Sequence, residues 1–540
     1  MKNAAPPAVK LSIWEKLGYG TGDLASNLFF QVQIIFLQVY YTDTALLDPA
    51  KVAIIFGVVR LVDAITDPLM GGIADRTHTR WGQYRPWLLW LAVPFGAAYF
   101  LAFSVGNFEG PAKFWMAFGT KFWMAFGTYF LMLLIYTAIN IPYGALCTSL
   151  TADPTERMSV RAWQFVMTQF GNLIVASTVL TMVAKLGQGD DVKGYQLTIG
   201  IYSAIAVVLF LMCFFSTRER ISSTGEPITD DFDAAKAAAE RREVSILQDL
   251  KALFRNDQWA LLALGTFLIL IGVVMRSSNT VYFAEYWLGD VSAATPYLIL
   301  GGISAIGGSM VGGHYSGGVS ARHFGIAAIL VFLGFGLVYV LASFGLSEFV
   351  SRQVIIVSCL AMAAAALVTH FLGAAFDRVR VFTTIFFIQG IAHGSIALVA
   401  AWSPAMAIFL FTFASFLTQV GVTTLWSMLS DSVDYGQHKT GVRNNGLIFS
   451  SFLFALKLGG SMAGVIGSLI LSWTGYVANQ AQTETALMGI LWCFAIIPAI
   501  CYILVGIAGL KLKLTESFVR DVQTKVLQKR AEDAAPAAST

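Results

Sequence analysis

The sequence predicts an all-α polytopic membrane protein, and three observations carry that reading. The 540 residues are 56% hydrophobic and only 12% charged, about half the ~25% charge typical of soluble chains. Mean hydropathy is +0.68. The apolar residues also gather into runs near the ~20 residues that cross a bilayer as a helix. Spread over soluble domains, the same composition would leave large apolar patches facing water. Secreted disulfide scaffolds, nucleic-acid binders and ordinary soluble enzymes are thereby excluded.

In order, the runs fall near 15–41, 49–74, 85–106, 114–148, 160–185, 195–215, 259–288, 295–317, 324–346, 353–376, 381–401, 405–428, 447–472 and 486–510, about fourteen transmembrane helices. An even number puts both termini on one side. With both in the cytoplasm, 26 of the 35 Lys and Arg lie inside and six outside, the positive-inside pattern. The organisation expected is an N-terminal bundle over 1–215, a cytoplasmic loop over 216–258, a C-terminal bundle over 259–514 and a cytoplasmic tail over 515–540. The central loop contains AAKAAAERREVSILQDLKALF, which has helical propensity and periodic apolar positions. It reads as an amphipathic linker. The tail ends in EDAAPAAST and reads as frayed.

Smaller features add little. The five cysteines all lie in apolar runs without a CxxC pair, as buried free thiols do. The histidines have no metal-ligand spacing, and the N-terminus lacks a signal-peptide layout. The octapeptide KFWMAFGT occurs twice in tandem, at 113–120 and 121–128. Eight residues leave a residual turn of about 80°, so the copy preserves no helix face and builds no repeat fold.

The polar residues inside the spans are more informative. Asp63 and Asp67 stand four apart, on one face of the second helix. An intramembrane carboxylate costs roughly 2.5–3.5 kcal/mol, and two like charges on one face add repulsion. A cation or proton held between them explains the pair. An ion network with Arg60 and Lys457 is the alternative. The loop that follows, with Asp75, Arg76, Arg80 and Arg85, is a short basic turn suited to gating. A second motif, LSDSVDYGQHKTGVRNNG at 429–446, carries Asp431, Asp434, Lys439 and Arg443. It reads as a structured loop able to cap helix ends. In the fourth span, Pro142 loosens the helix beside Thr137, Asn140 and Tyr143. Asn27, Gln164, Arg276 and Lys457 complete the polar inventory. Amides and hydroxyls, with the rings of Tyr40, Tyr41 and Trp163, suit a polyhydroxylated ligand, although each residue alone also fits helix–helix contact.

Together EKLGYGTGD at 15–23, VYYTD at 39–43, residues 60–87, NIPYGAL at 140–146, SDSVDYGQHKTGVRNNG at 430–446 and KLGG at 457–460 resemble the glycoside–pentoside–hexuronide:cation symporters of the major facilitator superfamily, the melibiose and glucuronide carriers. The resemblance implies two six-helix bundles, alternating access, and uptake of a sugar or glycoside driven by H⁺ or Na⁺. By position, Asp63 and Asp67 match the family's cation carboxylates and Thr137 a hydroxyl that helps bind Na⁺. Where the melibiose type has sugar-binding aspartates this chain has Asn27 and Asn140. Its fifth-span arginine is Gln164 here, a tryptophan is Gly144, and Lys457 is kept. The candidate substrate set is therefore Asn27, Asn140, Tyr143, Gln164, Arg276 and Lys457, less acidic than a melibiose site. Twelve spans are usual in the family. Because ALVTHFLGAAFDRVRVF at 366–382 resembles the end of span eight, the extra helix pair is expected near 292–350, at the bundle periphery.

The function expected is secondary active symport, by a monomer in the bacterial inner membrane with the lipid bilayer around it, with no cofactor beyond the coupling ion, no catalytic residue and no nucleic-acid partner. A lysolipid-type carrier and a membrane-embedded transferase are the alternatives. The former is disfavoured by the amide-rich polar set and the latter by the lack of a nucleophile, base or metal cluster. Two readings of Arg276 stay open: it meets a substrate carboxylate, or it is satisfied within the protein and the substrate is neutral.

Overall fold

A computed structural model describes residues 11–75, 77, 79–105, 120–151, 154–220, 253–315, 352–441 and 445–534. It divides into two compact units, 1–243 and 244–540, so the division falls inside the expected central loop. Over the described residues each expected run other than 324–346 is helical; that run, the central loop over 221–252 and most of the first KFWMAFGT copy lie outside the described residues.

In the first unit the helices are α1 (Ile13–Val39), α2 (Pro49–Asp75), α3 (Arg85–Ala102), α4 (Thr120–Leu150), α5 (Pro154–Gly187) and α6 (Asp191–Ser216). Ser12 caps α1, its side chain accepting from Glu15 N at 3.1 Å, which satisfies one of the orphan N–H groups of a helix start. The chain passes close to its neighbours at Gly22, where a Cβ would stand 2.5 Å from the Tyr143 ring. Small residues give helices this approach in lipid, where packing rather than water exclusion drives association. The interior is aromatic. Phe29 meets Tyr99 edge-on at 5.1 Å, and Tyr40 packs on Phe103 and Tyr195 at 5.0 and 5.3 Å. α4 runs unbroken through Pro142.

At the ends of α1, α3 and α6 the sequence WGQYRP folds around one carboxylate. Glu219 accepts from the backbone N–H of Gln83, Tyr84 and Arg85 at 2.8, 2.8 and 2.7 Å. These are the unsatisfied donors at the start of α3, where the helix dipole also favours an anion. Gly82 holds φ +112, and a Cβ there would stand 2.5 Å from the Glu219 carboxyl carbon. Arg85 Nη2 donates to Phe214 O at 2.7 Å and the guanidinium lies over the Phe214 ring. Arg220 closes on Glu15 at 2.7 Å. Glu219→Ala is therefore expected to destabilise the protein by about 2 kcal/mol, since charge-assisted bonds are lost and buried donors exposed. A melting curve in detergent checks it, and Gly82→Ala is expected to lower the same transition.

In the second unit lie α7 (Asp257–Ser278), α8 (Ala294–Tyr315), α9 (Arg352–Ala375), α10 (Arg378–Val399), α11 (Pro404–Thr440), α12 (Asn445–Trp473), α13 (Glu484–Leu491), α14 (Ile497–Gly509) and α15 (Glu516–Ala534). α13 runs into α14 through a π turn at Trp492–Ile496. Among the described residues of both units, eleven helices are long and apolar enough to cross a membrane. In α2, Pro49–Val59 is a shorter apolar stretch; Arg60, Asp63 and Asp67 follow.

Three expectations are corrected here. Residues 294–315 form α8, which packs closely against α11: a Cβ on Gly308 would stand 2.3 Å from Phe416 O, and one on Gly312 2.9 Å from Val420 O. Tyr297 is buried, edge-on to Phe411 at 5.1 Å. The 429–446 motif is largely helical, because α11 continues to Thr440 and ends at Gly441 with φ +77. The frayed tail is instead α15, docked by buried Val519 and Val522, by Phe518 against Tyr435, and by Gln523 Nε2 donating to Asp434 at 3.0 Å. Cys147, Cys213, Cys493 and Cys501 are buried as expected, whereas Cys359 is exposed.

Candidate functional site

The expected cation residues meet between α2 and α4. Asp63 is buried, 4% exposed, and Thr137 Oγ1 lies 2.8 Å from Asp63 Oδ1 and 3.2 Å from Asp67 Oδ1. The helical spacing of four puts both carboxylates on the α2 face towards α4. Oxygens sharing one neighbour at these distances are no more than about 6 Å apart. Two full charges there repel by roughly 3 kcal/mol at an effective dielectric of about 20. A single hydroxyl hydrogen serves one of the two oxygens at a time. The two carboxyl groups and the hydroxyl together supply oxygens able to take up a proton or a cation. The side chain of Arg60 lies outside those described.

A second polar group joins α1 and α5. Asn27 Nδ2 donates to Asp23 Oδ2 at 3.2 Å and Gln164 Nε2 to Asp23 Oδ1 at 3.1 Å. Thr168 Oγ1 donates to the same carboxylate. Asp23 is the residue the sequence reading missed. It stands inside the motif at 15–23, four before Asn27, the same spacing that singled out Asp63 and Asp67.

Other candidates are placed differently. Tyr143 is buried and stacked on Tyr19 at 4.7 Å; its hydroxyl donates to Tyr19 O at 2.9 Å and Tyr19 returns a bond to Tyr143 O at 3.2 Å. This reciprocal lock joins α1 and α4 through Tyr143. Tyr40 and Tyr41 are likewise fully buried, in the aromatic interior. Asn140 is half-buried, its Nδ2 3.4 Å from Tyr136 Oη. In the second unit Arg276 is buried, donating to Ser415 Oγ at 2.9 Å and lying 4.7 Å over the Phe411 ring. Lys457 is half-buried in the middle of α12.

The gating residues divide. Arg80 lies over Trp81 at 4.4 Å, and Arg85 belongs to the Glu219 cluster. The side chains of Asp75, Arg76 and Arg443 lie outside those described. Asp431 pairs with Arg378 at the start of α10 at 2.5 Å, and Lys439 pairs with Asp257 at the start of α7. The α11 extension thus ties together the ends of α7, α10 and α15 within its own unit. Among the described residues no cluster of His, Cys, Asp and Glu is built to hold a metal ion.

Comparison with known proteins places this geometry in a family. The model of the family described as "MFS/sugar transport protein" matches residues 18–381 and 318–516. The inner membrane symporter YicJ of Escherichia coli (strain K12) is 30% identical over 96% of this chain and 95% of its own. The isoprimeverose transporter of Lactiplantibacillus pentosus is 29% identical over 96% and 92%. Among solved structures, that of a D-xylose–proton symporter superposes with a TM-score of 0.53 at 13% identity, covering 93% of this chain and 96% of that one; at such identity the likeness is one of fold. With the family's pattern running through both units and a relative this similar along nearly its whole length, the chain is a member of the MFS/sugar transport family.

Proposed function

We propose that the chain is a cation-coupled symporter of a sugar or glycoside, working by alternating access. Asp63, Asp67 and Thr137 form the ion site, and Asn27, Gln164 and Asn140 belong to the sugar site. The observation that carries the reading is Thr137 Oγ1 within hydrogen-bond reach of two intramembrane carboxylates, a grouping of oxygens able to take up a proton or cation. The relatives' names, one a symporter and one an isoprimeverose transporter, support the same class. With Asn27 and Asn140 in place of two carboxylates, fewer negative charges surround the site, which favours a proton on Asp63 or Asp67 over Na⁺; we take H⁺ as the coupling ion. The charge bias of the loops supports cytoplasmic termini, and the protein acts as a monomer in the inner membrane. Two six-helix bundles with an extra helix pair account for the fourteen apolar runs. The two family matches overlap over 318–381, and α8 is packed in the interior. Both support placing the extra pair after α8 rather than at 292–350.

The test is uptake of a panel of labelled glycosides into proteoliposomes, with H⁺ and Na⁺ gradients imposed separately. One or more neutral glycosides should accumulate under an inward H⁺ gradient. Uptake of none of them under either gradient contradicts the proposal.

A further inference from the structure

Inside the second unit a positive charge is buried among neutral groups. Arg276 is 7% exposed, and Gln389, His393 and Tyr502 are fully buried. The guanidinium donates from Nη1 to Ser415 Oγ at 2.9 Å and lies 4.7 Å over the Phe411 ring. Among the described residues no carboxylate pairs with it. The same Phe411 ring is 6.3 Å from the His393 ring, which stands 5.8 Å from the ring of Tyr502. The Tyr502 hydroxyl reaches back to α7: a Cβ on Gly272, one turn before Arg276, would stand 3.1 Å from it. Helices α7, α10, α11 and α14 thus enclose one polar group.

Its hydrogens can be followed atom by atom. The Thr418 hydroxyl donates to Ala414 O at 2.8 Å, so it accepts from Gln389 Nε2 at 2.6 Å and leaves Gln389 Oε1 as an acceptor. His393 Nε2 is 3.1 Å from Phe494 O, which only accepts; Nε2 therefore carries the hydrogen, and Nδ1 of the neutral ring is an acceptor. Ser415 gives its hydrogen to Phe411 O at 2.7 Å and accepts from Arg276. Arg276 Nε and Tyr502 Oη remain as donors. These two donors and the acceptors Gln389 Oε1 and His393 Nδ1 are all buried and have no hydrogen-bond partner among the described residues. Water bridges such groups, but it carries no charge, and an unpaired buried cation is costly.

We propose that this group is an anion site, in which one monovalent anion of halide size accepts from Arg276 Nε and Tyr502 Oη and balances the guanidinium. Water around the ion meets the acceptors: a molecule that gives one hydrogen to the anion has the other for Gln389 Oε1 or His393 Nδ1. Donors, acceptors and charge are then satisfied together. Chloride is the expected occupant, a structural ligand that ties α7 to α10 and α14. The inference stands apart from the symport reading and from the carboxylates of the ion site.

The experiment is equilibrium dialysis of ³⁶Cl⁻ against the purified full chain in detergent, with gluconate holding the ionic strength constant. The wild type should bind about one chloride per chain, saturably, and bromide should displace it. Replacing gluconate by chloride should raise the melting temperature by about 3 °C. Arg276→Met keeps a long side chain without the charge; it should bind no chloride and melt at one temperature in either salt. Tyr502→Phe keeps the ring and the guanidinium and removes one donor. Its half-saturating chloride concentration should rise about tenfold, the loss of one hydrogen bond to a charged group, and this variant carries the test should Arg276→Met not fold. A wild type that binds no chloride, or chloride binding unchanged in the folded variants, overturns the proposal. A second arm adds p-nitrophenyl glucuronide or p-nitrophenyl glucoside to the wild type loaded with ³⁶Cl⁻. Neither should release the ion; release by the glucuronide alone gives the site to a substrate carboxylate and overturns the halide assignment.

Discussion

Asp63→Asn and Asp67→Asn should each abolish uphill accumulation while leaving sugar exchange measurable. Moving one charge across the membrane is worth about 2.3 kcal/mol per 100 mV, which is roughly fifty-fold accumulation at 1.4 kcal/mol per decade. The expected accumulation ratio therefore falls from about fifty to about one in either variant. Both changes are isosteric and remove a charge from a buried, crowded pair, so folding should be preserved. Thr137→Val should lower accumulation without abolishing it, since the carboxylates remain and only the hydroxyl between them is lost. The check is the steady-state ratio of internal to external sugar under an imposed potential, set beside counterflow in the same vesicles. A fully accumulating Asp63→Asn or Asp67→Asn removes that residue from coupling.

The second large effect concerns the extra helices. Deleting residues 292–350 takes out α8, whose Gly308 and Gly312 lie against the α11 backbone and whose Tyr297 packs on Phe411. In a bilayer that close packing is the main source of cohesion between helices. No folded protein should be recovered. Deleting 317–376 instead removes the following run and α9 as a pair, keeps the sidedness of every later span, and leaves Asp377 to cap α10 through its bonds to Val379 N and Arg380 N. This variant should be monodisperse on size-exclusion chromatography and retain at least a tenth of the transport rate. The reverse pattern, a functional 292–350 deletion and a collapsed 317–376 deletion, would return the extra pair to the position first read from the sequence.

Much of this architecture was legible in composition and spacing. Apolar runs of membrane-spanning length became helices, and the four-residue interval between Asp63 and Asp67 led to a shared face that Thr137 completes. The same interval separates Asp23 from Asn27, but Asp23 ends the motif at 15–23, which speaks through its resemblance, while Asn27 stands outside it. Tyr143 is open to two placements in the sequence for a physical reason. An aromatic with a polar tip looks the same in a sequence whether its hydroxyl meets a ligand or a backbone carbonyl one helix away. The motif at 429–446 reads as a loop on its charges. A Cβ at Gly436 would stand 2.7 Å from Asn256 Nδ2, so that glycine marks a close approach inside a helix rather than a turn. In the tail, Phe518, Val519 and Val522 already lie at helical spacing, and what the sequence lacked was the α11 surface that receives them.

The central claim is that one cation travels with each sugar through Asp63 and Asp67. Its most direct test is sugar-coupled ion movement in proteoliposomes with no imposed gradient. Adding a transported glycoside outside wild-type vesicles in weakly buffered medium should raise the external pH as about one proton enters per sugar. Vesicles carrying Asp63→Asn or Asp67→Asn should show sugar entry without that shift. Sugar entry in the wild type with neither proton uptake nor ²²Na⁺ uptake would contradict the account.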